Sequence, residues 1–151
     1  MRINKNRAIL LFIVVALLVY LLWCFFRPVE IVAVHQRSSG SLAVLVKNFP
    51  LTDKGKIRWW QKNRAMLKEK YNVPAPDTDG SFSVTFWRFG DGYKVDKIDE
   101  RLCFNEIKNE KRCIEKEAIF TIVRNPYNRT FFTMYKGRYI LESDGRFVKV
   151  E

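Results

Sequence analysis

Residues 8–26 read AILLFIVVALLVYLLWCFF, 19 consecutive positions without a formal charge, nearly all of them large and apolar. At about 1.5 Å per residue the run is roughly 29 Å long as a helix, which matches a hydrocarbon core of about 30 Å. A surface helix of a soluble domain needs a polar face, and this run has none. The pattern predicts a membrane helix over 8–26, a short flank over 1–7, and a tethered domain over 27–151.

The flanks predict an orientation. Arg2, Lys5, Arg7 and the α-amino group crowd the N-terminal side, whereas Arg27 and Arg37 are the nearest basic residues beyond the span. Positive charge is retained in the cytoplasm, so the N-terminus is expected there and the domain on the far side. Tyr20 and Trp23 suit an interfacial anchor or simple apolar filler, and Pro28 stops the helix. A cleaved signal peptide has a shorter apolar region followed by small residues, but here the run ends Trp23-Cys24-Phe25-Phe26. Trp23 also occupies the place where a lipoprotein signal carries a small residue before its cysteine. An uncleaved anchor is the expectation.

Residues 27–151 carry all 16 Asp and Glu and 24 of the 27 Lys and Arg, a net charge of +8. Their number fits one compact domain. The charge suits contact with anionic lipid, acidic protein or nucleic acid, and it equally well keeps a domain soluble.

Along this domain, Val29 to His35 is β-branched but alternates only loosely, Arg37 to Ser41 is a turn cluster, and Leu42 to Phe49 is a second β-branched run. The two runs predict an antiparallel hairpin. Thr52 can cap a helix that continues to about Tyr71, although Gly55 stands where a capping box has Glu. Ile57, Trp60, Leu67 and Tyr71 fall at offsets of 0, 3, 10 and 14, one apolar stripe at helical period. Ser81 to Phe89 alternates as a strand, and Gly90-Asp91-Gly92 predicts a hairpin turn into Tyr93-Lys94-Val95. Arg101 to Ile107 and Cys113 to Val123 read as two strands about a polar tip, with short strands at Thr130 to Tyr135, Arg138 to Leu141 and Arg146 to Val150. One main helix between an early hairpin and a later series of strands, without regular βαβ alternation, predicts an α+β domain with a mainly antiparallel sheet.

Chemistry-bearing motifs are few. Cys103 and Cys113 face one another across the predicted tip, so a disulfide is plausible and two unrelated thiols are the alternative. The bond would fit an oxidising compartment. Zinc is disfavoured because the chain has only His35 besides Cys24, which lies in the span. Asp77 and Asp79 before Gly80 fail the EF-hand pattern, which puts Gly sixth and Glu twelfth where this chain has Phe82 and Arg88. His35 has no nucleophile motif beside it, Asp99 and Glu100 sit in a polar turn, and Walker A, Rossmann and metalloprotease patterns are missing. Asn128-Arg129-Thr130 matches a glycosylation acceptor, which matters only in a eukaryotic secretory pathway. An enzyme would need a cleft that gathers His35 or a carboxylate pair; catalytic residues, cofactor and metal are therefore expected to be none. Trp59 and Trp60 are candidates for protein contact, with core packing as the competing reading.

Arg27-Pro28-Val29-Glu30-Ile31-Val32-Ala33-Val34-His35, then Leu45 to Ile57 with Trp59-Trp60, and Phe86 to Tyr93 with the Cys103 to Cys113 hairpin, resemble a family of small enterobacterial membrane proteins catalogued as a domain of unknown function. The resemblance implies an inner-membrane protein and supplies no catalytic residues. Together with the orientation it gives a single-pass inner-membrane protein with a periplasmic domain. That domain is expected to bind an unidentified envelope protein, as an inhibitor or immunity-type partner; the runner-up is an accessory envelope component lying against anionic lipid. Neither nucleic acid nor a small-molecule substrate is expected.

Overall fold

A computed structural model describes residue 2 and residues 4–150. The apolar run forms α1 (Lys5–Phe26), which begins three residues before the uncharged stretch and is long and apolar enough to cross a membrane. No residue of α1 is buried within the protein. Arg27 leaves it in extended conformation with its guanidinium 4.5 Å from the Trp23 ring centroid.

β1 (Glu30–Ser38) and β2 (Ser41–Lys47) form the predicted antiparallel hairpin, turning at Gly40, whose φ is +71°. The loose alternation of β1 has a physical cause: the register shifts between Ile31 and Ala33, so Val32 is an extra residue in the ladder. Ile31 and Val34 consequently face one core while Ala33 and His35 face another. Leu42 to Val46 of β2 are all buried. Leu42, Val44 and Val46 point toward the helix side, and Ala43 and Leu45 point to the opposite side. A strand covered on both faces reads as a continuous apolar run.

α2 (Asp53–Tyr71) starts with Thr52 as its cap, the hydroxyl accepting from the Gly55 N–H at 3.0 Å. Gly55 is what permits this approach, because a Cβ there would lie 2.7 Å from the Thr52 Oγ1. The helix ends at Asn72, which adopts left-handed backbone and donates its N–H to the Lys68 carbonyl. Ile57, Trp60 and Leu67 are buried as the stripe predicts, whereas Tyr71 at the last turn is exposed.

Because α2 carries the chain back along β2, β3 (Phe82–Arg88) lies parallel to β2, a βαβ unit that the sequence pattern did not suggest. Beyond it the main sheet adds β7 (Ala118–Arg124), β8 (Thr130–Met134), β9 (Gly137–Leu141) and β10 (Phe147–Lys149), in the order β1-β2-β3-β7-β8-β9-β10. Every pairing except β2 with β3 is antiparallel among the described residues, so the domain is α+β with a mainly antiparallel sheet. Phe86 is at the centre of the helix-side core, with ring centroids of Phe49, Trp59 and Phe120 between 5.1 and 5.8 Å away.

The other face of the sheet is covered by a second, three-stranded sheet, β4 (Lys94–Val95), β6 (Lys111–Glu115) and β5 (Arg101–Cys103), in that order. Two expectations are corrected here. Gly90-Asp91-Gly92 does not return the chain beside β3 but carries it across to β4, which pairs with β6. The expected strand Cys113 to Val123 is broken at Lys116-Glu117, and its halves belong to different sheets. Phe104 and Ile114 close this second core over Ala43 and Leu45.

Candidate functional site

The sole histidine is placed by the bulge of β1 at the junction of the two sheets. Its pairing with Ala43 turns the ring under the small sheet, where it is buried and stacked on Phe104 with centroids 4.0 Å apart. Both ring nitrogens are engaged: Nδ1 lies 2.6 Å from Glu106 Oε1, and Nε2 lies 2.8 Å from the Tyr93 hydroxyl. A carboxylate only accepts, so Nδ1 donates to Glu106, and whenever the ring is neutral Nε2 accepts the Tyr93 O–H. Arg37 completes the group by donating to the Cys103 carbonyl at 3.0 Å, with its guanidinium 5.8 Å from the Phe104 ring centroid.

Electrostatics follow from this geometry. Burial pushes the Glu106 carboxyl up, but its backbone hydrogen bond, the His35 hydrogen bond, the His35 charge when the ring is protonated, and the Arg37 charge together hold it below the usual carboxylate range. Burial, with the Glu106 charge second, pushes the Tyr93 hydroxyl above its ordinary value. The phenol therefore stays neutral and serves as a hydrogen-bonding strut. With each imidazole nitrogen committed to one partner, the cluster ties β1 to the segments before β4 and after β5.

Cys103 and Cys113 are joined by a disulfide and sit directly opposite in the β5–β6 ladder, with Cα atoms 4.0 Å apart. The neighbouring Phe104 N–H bonds to the Arg112 carbonyl at 3.0 Å, which makes the cysteines a non-hydrogen-bonded pair, where side chains approach most closely. Asp96 Oδ1 lies 3.4 Å from the Cys103 sulfur, but both sulfurs are bonded to each other. A shallow hollow beside this hairpin is bordered by Asp96, Asn105, Lys108, Glu110 and Arg112, and neither His35 nor Glu106 lines it. Cys24 is a free thiol on α1.

The remaining sequence candidates are dispersed. Trp60 is 4% exposed and packs edge-on to Phe86, so it is a core residue. Trp59 is half-buried between Phe49 and Phe86 and keeps only part of its surface for contact. Asp79 accepts from the Ser81 hydroxyl and N–H, which hold it below the carboxylate range, and it belongs to the turn before β3. Glu100 pairs with Lys97 at 2.6 Å. What the sequence reading passed over is the meeting of His35, Tyr93 and Glu106, the last lying 71 positions from the histidine. The one available signal was a histidine ending an apolar strand.

The outward side of α2 is strongly basic. Lys54, Arg58, Lys62, Arg64, Lys68 and Lys70 are exposed on it with Glu69 as the acidic residue among them, and Asp53 is turned to the Tyr139 hydroxyl at 3.2 Å. Among the described residues, no Lys or Arg of α2 pairs with a carboxylate; the Lys68 amine donates instead to Asn72 and to the Pro74 carbonyl.

No curated protein and no solved structure matches the chain. Among protein families, residues 2–151 match the one described as "Enterobacterial putative membrane protein (DUF943)". That match spans both the apolar helix and the two-sheet domain, and the chain belongs to this family.

Proposed function

We propose that the chain is a single-pass protein of the bacterial inner membrane, with its N-terminus in the cytoplasm and a periplasmic domain that binds an acidic partner protein, in the manner of an inhibitor or immunity-type protein. The observation that carries this reading is the unpaired basic face of α2. Lys54, Arg58 and Lys62 follow one another at four-residue spacing, as do Arg64 and Lys68. Like charges so placed cost roughly 0.2–0.5 kcal/mol per pair in an isolated helix, a penalty that an acidic surface laid against them relieves. The helix holds seven Lys and Arg against two acids, so five of the domain's eight net positive charges come from this element.

The basic N-terminal flank supports the orientation, and the disulfide suits an oxidising compartment. The reading assigns no catalytic step, cofactor or small-molecule substrate.

The test is photocrosslinking of the full-length protein in cells, with the crosslinker at Gln61 on the basic face or at Tyr127 on a turn of the main sheet. A defined adduct from Gln61 that is lost in the Arg58→Glu, Lys62→Glu variant supports the reading, provided that the variant keeps its disulfide. An unchanged adduct after charge reversal, or adducts from Tyr127 alone, sinks it.

A further inference from the structure

The strand register assigns one end of the main sheet to the neighbourhood of α1. Glu30, which opens β1, pairs with Lys47 at the close of β2, and Val46 is level with Arg88 at the close of parallel β3. β7 begins at this end with Ala118 opposite Trp87, and the β8–β9 turn after Met134 returns here as well. Only Arg27, Pro28 and Val29 separate α1 from β1, and Val29 already packs against the domain core. Three extended residues reach about 10 Å. With α1 in a bilayer, this end of the sheet is held beside the head groups, whichever side of the membrane the domain occupies.

Two side chains project from this end without any apolar partner to explain them. Leu51, in the turn between β2 and α2, is 83% exposed, and Tyr135, in the β8–β9 turn, is 98% exposed. Each has an exposed lysine close by in sequence, Lys47 and Lys136, and Arg27 lies at the foot of the linker. Negative charge at the same end comes from Glu30, from Asp53, which accepts from the Tyr139 hydroxyl at 3.2 Å, from Asp91 in the turn after β3, and from Glu117, which is paired with Arg88 at 3.3 Å. Apolar or aromatic tips beside cations are the chemistry of an interfacial lipid contact, with tyrosine suited to head-group depth.

We infer that this end of the sheet is a lipid-docking surface: Leu51 and Tyr135 enter the interfacial layer, and Arg27, Lys47 and Lys136 meet the phosphates of anionic phospholipid. The domain then lies on the membrane rather than tumbling above it, with the opposite turns, including exposed Tyr127, turned away. This surface is separate from the outward face of α2, and it depends neither on the proposed partner nor on the orientation.

The experiment uses the full-length protein in nanodiscs of phosphatidylcholine alone or mixed with phosphatidylglycerol, each doped with a gadolinium-chelating lipid. Backbone amide relaxation is then read by NMR. In the anionic discs, amides of residues 48, 49, 51, 52 and 135–137 should broaden strongly and those of 127 and 128 should not. Each basic side chain near an anionic surface is worth roughly a fivefold change in docked population. Lys47→Gln with Lys136→Gln should therefore lower the broadening markedly, as should the change to phosphatidylcholine. Leu51→Ser with Tyr135→Ser separates docking from tethering, since the linker is untouched and both positions are exposed turns. Unchanged broadening in that variant, or equal broadening at 127 and 128, overturns the inference. Insensitivity to phosphatidylglycerol also overturns it by removing the phospholipid charge from the contact.

Discussion

The imidazole of His35 lies face to face with the ring of Phe104, centroids 4.0 Å apart and planes 14° from parallel. This contact joins the edge strand of the large sheet to the loop following β5, so the histidine acts as a packing plate with polar struts on either side.

Removing the plate exposes what it holds. Phe104 is 1% exposed, and Phe104→Ala is expected to cost about 3–5 kcal/mol, the range for large-to-small changes in a tight core. His35→Ala should cost somewhat less but additionally strand the Tyr93 hydroxyl and the Glu106 carboxylate. Thermal unfolding of the full-length protein in nanodiscs, followed by near-UV circular dichroism, measures both. A His35→Ala protein as stable as the parent would show the junction to be dispensable.

The junction also predicts an acid response. The folded value of Glu106 is depressed, so its stabilisation is fully present above about pH 4.5 and is lost as the pH falls through the folded value. The side chain is 53% exposed, so solvent screening keeps the effect well under about 1 kcal/mol. Glu115, held down by the Lys94 and Arg101 hydrogen bonds and charges, acts with the same sign. Glu106→Gln should therefore reduce, without abolishing, the fall in unfolding midpoint between neutral and acid pH. A variant whose pH profile superimposes on the parent's would contradict this.

For the disulfide, alkylation of the denatured protein before and after reduction should label Cys24 alone and then Cys24, Cys103 and Cys113. The bond closes a loop of ten residues, for which chain-entropy restriction is about 2–3 kcal/mol. Cys103→Ser with Cys113→Ser should lower stability by that amount in urea titrations. In cells, the proposed orientation makes the hairpin accessible to protease added outside spheroplasts; complete protection there would reverse the topology.

At the start of α2 two effects of similar size oppose each other. Gly→Ala inside a helix ordinarily gains up to about 1 kcal/mol, whereas loss of a Thr cap costs about 1 kcal/mol. Because a Cβ at Gly55 would lie 2.7 Å from the Thr52 Oγ1, Gly55→Ala should give no net stabilisation. A clear gain in urea midpoint would mean that the cap tolerates the methyl group.

The features legible from sequence are those encoded by uninterrupted periodicity. The unbroken apolar run marks α1, the Ile57-Trp60-Leu67 stripe marks α2, and two cysteines flanking a polar tip anticipate the β5–β6 pair. The bulge at Val32 obscured the alternation of β1, because one extra residue exchanges the two faces of a strand. The parallel entry of β3 was hidden because helix length returns a chain to its starting end without naming its neighbour. The break at Lys116-Glu117 lay inside what read as one long strand, and a partner in a different sheet leaves no local trace. The His35–Tyr93–Glu106 cluster was illegible for a related reason: its members are brought together by the second sheet alone.

The three-residue passage from α1 into β1 has a mechanical meaning. A pull between the bilayer and a partner seated on α2 reaches the domain through Glu30 and runs lengthwise along β1, whose neighbour on the load path is antiparallel β2. Because Glu30 lies opposite Lys47, from which the chain continues into α2, the load enters and leaves this pair at the same end, so traction peels the ladder open one hydrogen bond after another instead of loading its bonds together. The strand nearest the anchor is thereby the first to yield under tension.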